Sequence, residues 1–144
     1  MFQPVFKVNP ETVELQPEPI PHEWILSGAP VARGHKLATS ADCLSTVVVW
    51  DCTAGRFIWR YGQDEVILVI SGEAFLLNEN GEEIRFGTGD VGYFRAGTVA
   101  TWRVDDYIRK VAVVRETTWR PLGFVWKVMK KLTRIVMGTD KSPS

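Results

Sequence analysis

Residues 55–72 read GRFIWRYGQDEVILVISG, and the rest of the chain is organised outward from them. Phe57, Trp59 and Tyr61 alternate with Arg56, Ile58 and Arg60. A period of two marks a strand with two unlike faces. Gly62-Gln63-Asp64 is a polar turn, after which Glu65 opens an apolar run, Val66 to Ile70, closed by Ser71-Gly72. Two strands therefore meet at a tight corner. One face carries large aromatics and then a carboxylate. Pointed into a closed sheet, such a face lines a pocket instead of a plain core.

The flanks repeat the theme. Thr46–Trp50 is a β-branched strand running into a turn at Asp51–Gly55. Beyond Gly72, Glu73–Leu77 and Glu82–Phe86 are strands around Asn78-Glu79-Asn80-Gly81, a hairpin loop that ends in Asn-Gly. Gly89-Asp90 is a turn, Val91–Phe94 a short strand, and Arg95-Ala96-Gly97 another turn. Thr98–Val104, which contains Trp102, and Tyr107–Arg115 complete the sheet. Short strands separated by turns every ~8–12 residues indicate an all-β sandwich or barrel. The spacing by itself leaves a jelly roll and an immunoglobulin-like sheet both open.

The glycines and acids of these stretches resemble the paired motifs of the cupin superfamily. Gly55 opens the first motif, Glu65 and Gly72 keep its Glu-x6-Gly spacing, and Gly89-Asp90 with Gly97 match the second. More narrowly, Gly55, Phe57, Trp59, Tyr61, Asp64 and Glu65, then Gly89-Asp90, Ala96-Gly97-Thr98 and Trp102, resemble the short ureidoglycine aminohydrolase-type cupins. The resemblance covers roughly residues 35 to 118. It implies an all-β double-stranded β-helix, the jelly-roll cupin barrel, over residues 35–118. An N-terminal arm and edge segment (1–34), a C-terminal helix (119–138) and a tail (139–144) flank it.

The same resemblance implies where a metal would sit. Cupins that follow the pattern fully hold a divalent ion with two or three histidines and a glutamate. Here Glu65 is present, but Trp59 and Tyr61 stand at the His-x-His positions, Ala100 stands at the second-motif histidine and Arg95 at its proline. Tryptophan and alanine offer no donor, and a neutral tyrosine is a poor one. No metal and no other cofactor is therefore expected.

What remains is a pocket lined on one parity by Phe57, Trp59, Tyr61, Glu65, Ala100 and Trp102. Glu65 among aromatics needs a partner, and Tyr61, Tyr93, Arg103 or Lys110 can supply one. The expected ligand-binding set is Phe57, Trp59, Tyr61, Glu65, Tyr93, Trp102 and Lys110. The expected function is binding of a small polar metabolite in a metal-free aromatic pocket anchored by Glu65. The first alternative is an enzyme resembling the ureidoglycine aminohydrolase-type cupins. It would act on a C–N bond or isomerise a small substrate, with Glu65 and Tyr61 as the catalytic acid–base pair. The second is a structural or interaction protein docking through its C-terminal helix.

The totals narrow the classes. The chain has 144 residues and a formal net charge of +0, so it lacks the basic excess of a nucleic-acid binder. Cys43 and Cys52 are too few for a disulfide scaffold and read as two reduced buried thiols. The N-terminus shows no signal peptide, and no apolar run is long enough to span a bilayer, which gives a cytoplasmic expectation. His22 and His35 read as surface or capping residues.

Five prolines between Pro4 and Pro21 make residues 1–21 an extended arm, with edge strands possible at Val5–Val8 or Thr12–Leu15. Residues 22–42 have mixed polarity and turns at Ser27-Gly28 and Arg33-Gly34. From Pro121, Leu122, Val125, Trp126, Met129, Leu132 and Val136 recur at helical spacing, with Gly138 as the stop. At ~3.6 residues per turn, Lys127, Lys130, Lys131 and Arg134 share an arc of ~100°, and the apolar arc widens to ~220°. So wide an apolar arc fits a helix held between the barrel and a second subunit, or one resting on an anionic membrane surface. The subunit contact is favoured, so a homodimer is expected.

Overall fold

A computed structural model describes residues 4–117 and 120–136, and of residues 120–124 the backbone alone. The strands are β1 (Gln16–Pro17), β2 (Ile25–Gly28), β3 (Ala32–Thr39), β4 (Ser45–Arg60), β5 (Asp64–Leu77), β6 (Glu83–Gly87), β7 (Val91–Phe94) and β8 (Val99–Arg115). A 3₁₀ turn covers His22–Trp24, and helix α1 covers Arg120–Val136. Every pairing is antiparallel.

The long strands β4, β8 and β5 lie side by side and bend together. The first halves of β4 and β5 pair with the second half of β8, and β3 and β7 extend that layer on its two sides. The remaining halves form a second layer, flanked by β2 and β6. The two layers face each other as a double-stranded β-helix, the jelly-roll barrel that the resemblance implied.

The bends are irregularities of register. They fall between Thr53 and Gly55 on β4, and between Val69 and Ser71 and again between Gly72 and Phe75 on β5. Gly72 takes φ +74°, and a Cβ there would collide with the backbone carbonyl of Tyr107. Only glycine lets the two strands approach so closely at the bend. Several expected boundaries therefore dissolve. Asp51–Gly55 is a bulge inside β4 instead of a turn. Ser71-Gly72 is a bend inside β5, and the two final strands are one. A bulge shifts parity by one residue, so Trp50 and Cys52 point inward from one half of β4, and Phe57 and Trp59 from the other, with Tyr61 continuing the inward face just past the strand's end. The core cluster joins these to Ile67, Val69, Ala74, Leu76, Phe94, Ala100, Trp102, Val104 and Ile108.

The arm departs from expectation. No strand forms at Val5–Val8 or Thr12–Leu15, and the arm's contribution is the two-residue β1 on β3. The reason lies on the outer face of the first layer, where Arg109 is only 9% exposed. Its guanidinium donates to the carbonyls of Pro10 (2.9 Å) and Val13 (2.8 Å), so the arm is held by a side chain instead of a ladder. Asp51, 1% exposed, lies beside it. Asp51 accepts from Arg33 at 3.0 and 2.5 Å and from the Tyr107 hydroxyl at 2.7 Å. Its bond to Asp51, then the charge of that carboxylate, raises the pKa of Arg33.

Residues 22–42, read as mixed in polarity with turns at Ser27-Gly28 and Arg33-Gly34, hold β2 and β3. Their polar residues are the outward half of edge strands, and His22 and His35 are both exposed. Cys43 corrects the expectation of two buried thiols. It is exposed in a left-handed turn with φ 63°, and Cys52 alone is buried. Among the described residues no helix is long and apolar enough to cross a membrane. The residues of α1 from Val125 onward are all exposed, with Trp126 60% and Met129 55% accessible. Gly138 and the tail 139–144 lie outside the described residues.

Candidate functional site

The barrel interior opens into a cavity of about 260 Å³. At roughly 30 Å³ per water this is room for a small molecule and not for a polymer. Phe57 and Trp59 from β4, Tyr61 just past its end, Glu65 from β5 and Trp102 and Lys110 from β8 all line it. Ala100, expected beside them, is buried under the site opposite Trp59.

Tyr93 does not belong to the cavity. Alternation along β7 sends Gly92 and Phe94 inward, leaving Tyr93 58% exposed on the outer face opposite Val66. Arg103 also points outward, bonded to Glu83 at 3.0 Å and Asp105 at 3.1 Å. Of the basic partners considered for Glu65, Lys110 is the one that faces it, with Nζ 3.6 Å from Oε1. Both side chains are largely buried, Lys110 7% and Glu65 13% exposed. The separation is too long for a hydrogen bond, so the pair attracts without consuming its donors and acceptors.

Lys110 is held by more than charge. Its Nζ lies 4.8 Å from the Trp50 ring centre and 4.9 Å from that of Trp102. An ammonium over an indole face is attracted by the ring quadrupole, most strongly where water is excluded. Trp50 was missing from the expected set because its parity is carried across the bulge at Thr53/Gly55, which sequence alternation does not reveal. Trp50 packs edge-on to Phe57, Trp59 and Trp102, and Phe57 stacks on Trp102 at 6.0 Å and 9°. Glu18, at the edge of the cavity, was missing as well. It arrives from the arm, and Gly34 makes room for it, since a Cβ there would collide with its carboxylate. No local signal in the sequence marks it.

The indole N–H of Trp102 donates to the Tyr61 hydroxyl at 3.1 Å, which leaves that hydroxyl its own hydrogen to give. Burial, then the charge of Glu65, holds the Tyr61 phenol well above its ordinary range. That direction suits a hydrogen-bond donor better than a proton shuttle near neutrality. Cys52 is similarly quenched: burial pushes its thiol up to about 12, so it offers no thiolate at neutral pH.

A metal does not fit this donor set. Among the described residues no group of three or more His, Cys, Asp or Glu side chains converges. Around Glu65 the neighbours are indoles, a phenol and an ammonium, and the ammonium competes for the carboxylate that an ion would need.

An antiparallel jelly roll around an aromatic cavity is the architecture that cupins share. The family model for EutQ-like cupin domains matches residues 39–112, and the chain belongs to that family. Among solved structures it is similar to a protein of unknown function of the DUF861 family from Pseudomonas syringae pv. tomato. The two share 26% identity at a TM-score of 0.66, over 72% of this chain and 45% of that one. The chain thus spans less than half of that relative's length. It is also similar in fold to the EutQ protein of Clostridium difficile, with 19% identity and a TM-score of 0.62 over 78% of this chain and 88% of that one. A putative ethanolamine utilization protein from Salmonella typhimurium shares 21% identity at a TM-score of 0.54, over 61% of this chain and 72% of that one. No curated protein matches the chain.

Proposed function

We propose that this cupin binds a small polar metabolite in its aromatic cavity without a metal, with Glu65 and Lys110 as the polar anchors. One observation carries the reading: Lys110 and Glu65 stand 3.6 Å apart in the lining of the cavity and still have hydrogen-bonding capacity to give a ligand. Aromatic walls supply area, and the two anchors supply orientation. Cupin folds host unrelated activities, so the family supports the architecture and the site supports the ligand class.

A thermal-shift screen of the full chain against broad metabolite classes tests this. A ligand at about 100 times its Kd adds ~2.7 kcal/mol, which raises Tm by roughly 5–10 °C for a chain of this size. Trp59→Ala and Glu65→Gln are expected to abolish most of that shift. A full panel with no stabilising compound would remove the proposal. The enzyme resembling ureidoglycine aminohydrolase-type cupins has less support, because the Tyr61 hydroxyl pairs with the Trp102 indole and burial favours its protonated form.

We also propose that the protein acts as a homodimer. Val66, Leu68, Val91, Tyr93 and Val113 are adjacent in register on the outer face, and each is at least 37% exposed. Contiguous apolar surface of this kind marks a contact site, and a two-fold dimer is the commonest solution. Leu68→Lys is expected to shift the light-scattering mass from dimer to monomer. A wild-type monomer at all accessible concentrations would refute it.

A further inference from the structure

The charges around the cavity cancel. Among the described residues its lining contains Glu18 and Glu65 against Arg60 and Lys110, and no other Asp, Glu, Lys or Arg. The inner pair is the one that matters most, since both members are largely out of water. A ligand carrying a net charge would add an unbalanced charge to a site already neutral, and burying such a charge is costly. A carboxylate drawn to Lys110 would also lie against Glu65, and an amine drawn to Glu65 would lie against Lys110.

The polar groups ask for a different partner. Lys110 only donates, Glu65 in its ionised form only accepts, and the Tyr61 hydroxyl, already accepting from Trp102, donates. With 3.6 Å between Nζ and Oε1, a ligand group that accepts on one side and donates on the other can engage both. A hydroxyl does this with a single oxygen, and neighbouring hydroxyls do it repeatedly. Trp50 and Trp102 are buried beneath the Lys110 ammonium, and the half-buried Trp59 offers the apolar surface for the C–H side of such a molecule.

We infer that the ligand is an uncharged polyol of sugar size, selected against its acidic and amino counterparts. This rests on the small-molecule reading above and sharpens it.

Calorimetry on the full chain with glucose, ribose and myo-inositol, each beside glucuronate and glucosamine as charged probes, tests it. The expected result is that at least one neutral polyol binds, and binds at least tenfold more tightly than either charged probe. The variants then reverse the preference. Lys110→Met leaves the inner site negative and should move selectivity at least tenfold toward glucosamine. Glu65→Gln leaves it positive and should move selectivity equally toward glucuronate. Should Lys110→Met fail to fold, Glu65→Gln alone still decides the direction. Tighter binding of glucuronate or glucosamine by the wild-type protein would overturn the polyol assignment and leave the polar-ligand reading standing. No binding by any probe would overturn the polyol assignment, and the broad thermal-shift screen would then decide the parent reading separately.

Discussion

Asp51→Ala is expected to remove about 3–5 kcal/mol of folding free energy, the cost of breaking a buried charge pair from one side. Asp51 is 1% exposed and serves Arg33, Tyr107 and Arg109 together. Without it Arg109, itself 9% exposed, keeps its charge against an outer face with no carboxylate beside it. Arg109 also fixes the arm through the Pro10 and Val13 carbonyls, so the variant should loosen residues 4–18 as well as lower stability. Equilibrium unfolding in urea measures the first effect, and the rate of limited proteolysis within the arm measures the second. The double variant Asp51→Leu with Arg109→Met should recover part of the loss, since an apolar pair can replace a buried ionic one. A loss below about 1 kcal/mol for Asp51→Ala would show that the network is surface-like despite its burial.

Trp102→Ala is the second large effect, at about 3–5 kcal/mol. Trp102 is 1% exposed and sits at the centre of the aromatic cluster. It stacks on Phe57, supports the Lys110 ammonium at 4.9 Å and donates its N–H to Tyr61. Truncation leaves a hole in the floor of the cavity, and the close-packed interior has little freedom to collapse into it. Trp102→Phe separates the parts. It keeps most of the volume and loses the hydrogen bond, so it should cost roughly 1–2 kcal/mol. Chemical denaturation of both variants checks the ordering. Near-equal losses would mean that the bond to Tyr61, and not the packing, is what Trp102 contributes.

Much of this molecule was legible along the chain. Alternation at Phe57, Trp59 and Tyr61 located an inward strand face, because side-chain direction in a strand has a period of two regardless of what lies opposite. The resemblance carried by Gly55, Glu65, Gly72, Gly89-Asp90 and Gly97 implied the jelly roll that spacing alone left open, and the apolar repeat from Pro121 pointed to α1.

What tertiary structure decided is what depends on register. The bulge between Thr53 and Gly55 resets parity, so Trp50 joins the cavity although simple alternation across residues 50 to 59 would place it on the far side. Lys110 and Glu65 are distant in sequence and meet because β5 and β8 are neighbours with Glu65 opposite Val114. Tyr93 was lost from the site for the same reason, since neighbouring Phe94 takes the inward position. Glu18 reaches the rim because Gln16 and Pro17 pair with β3, its own N–H donates to the Ala32 carbonyl at 3.0 Å, and Gly34 leaves space. Local sequence fixes which side chains alternate; only pairing between distant strands fixes what each face meets.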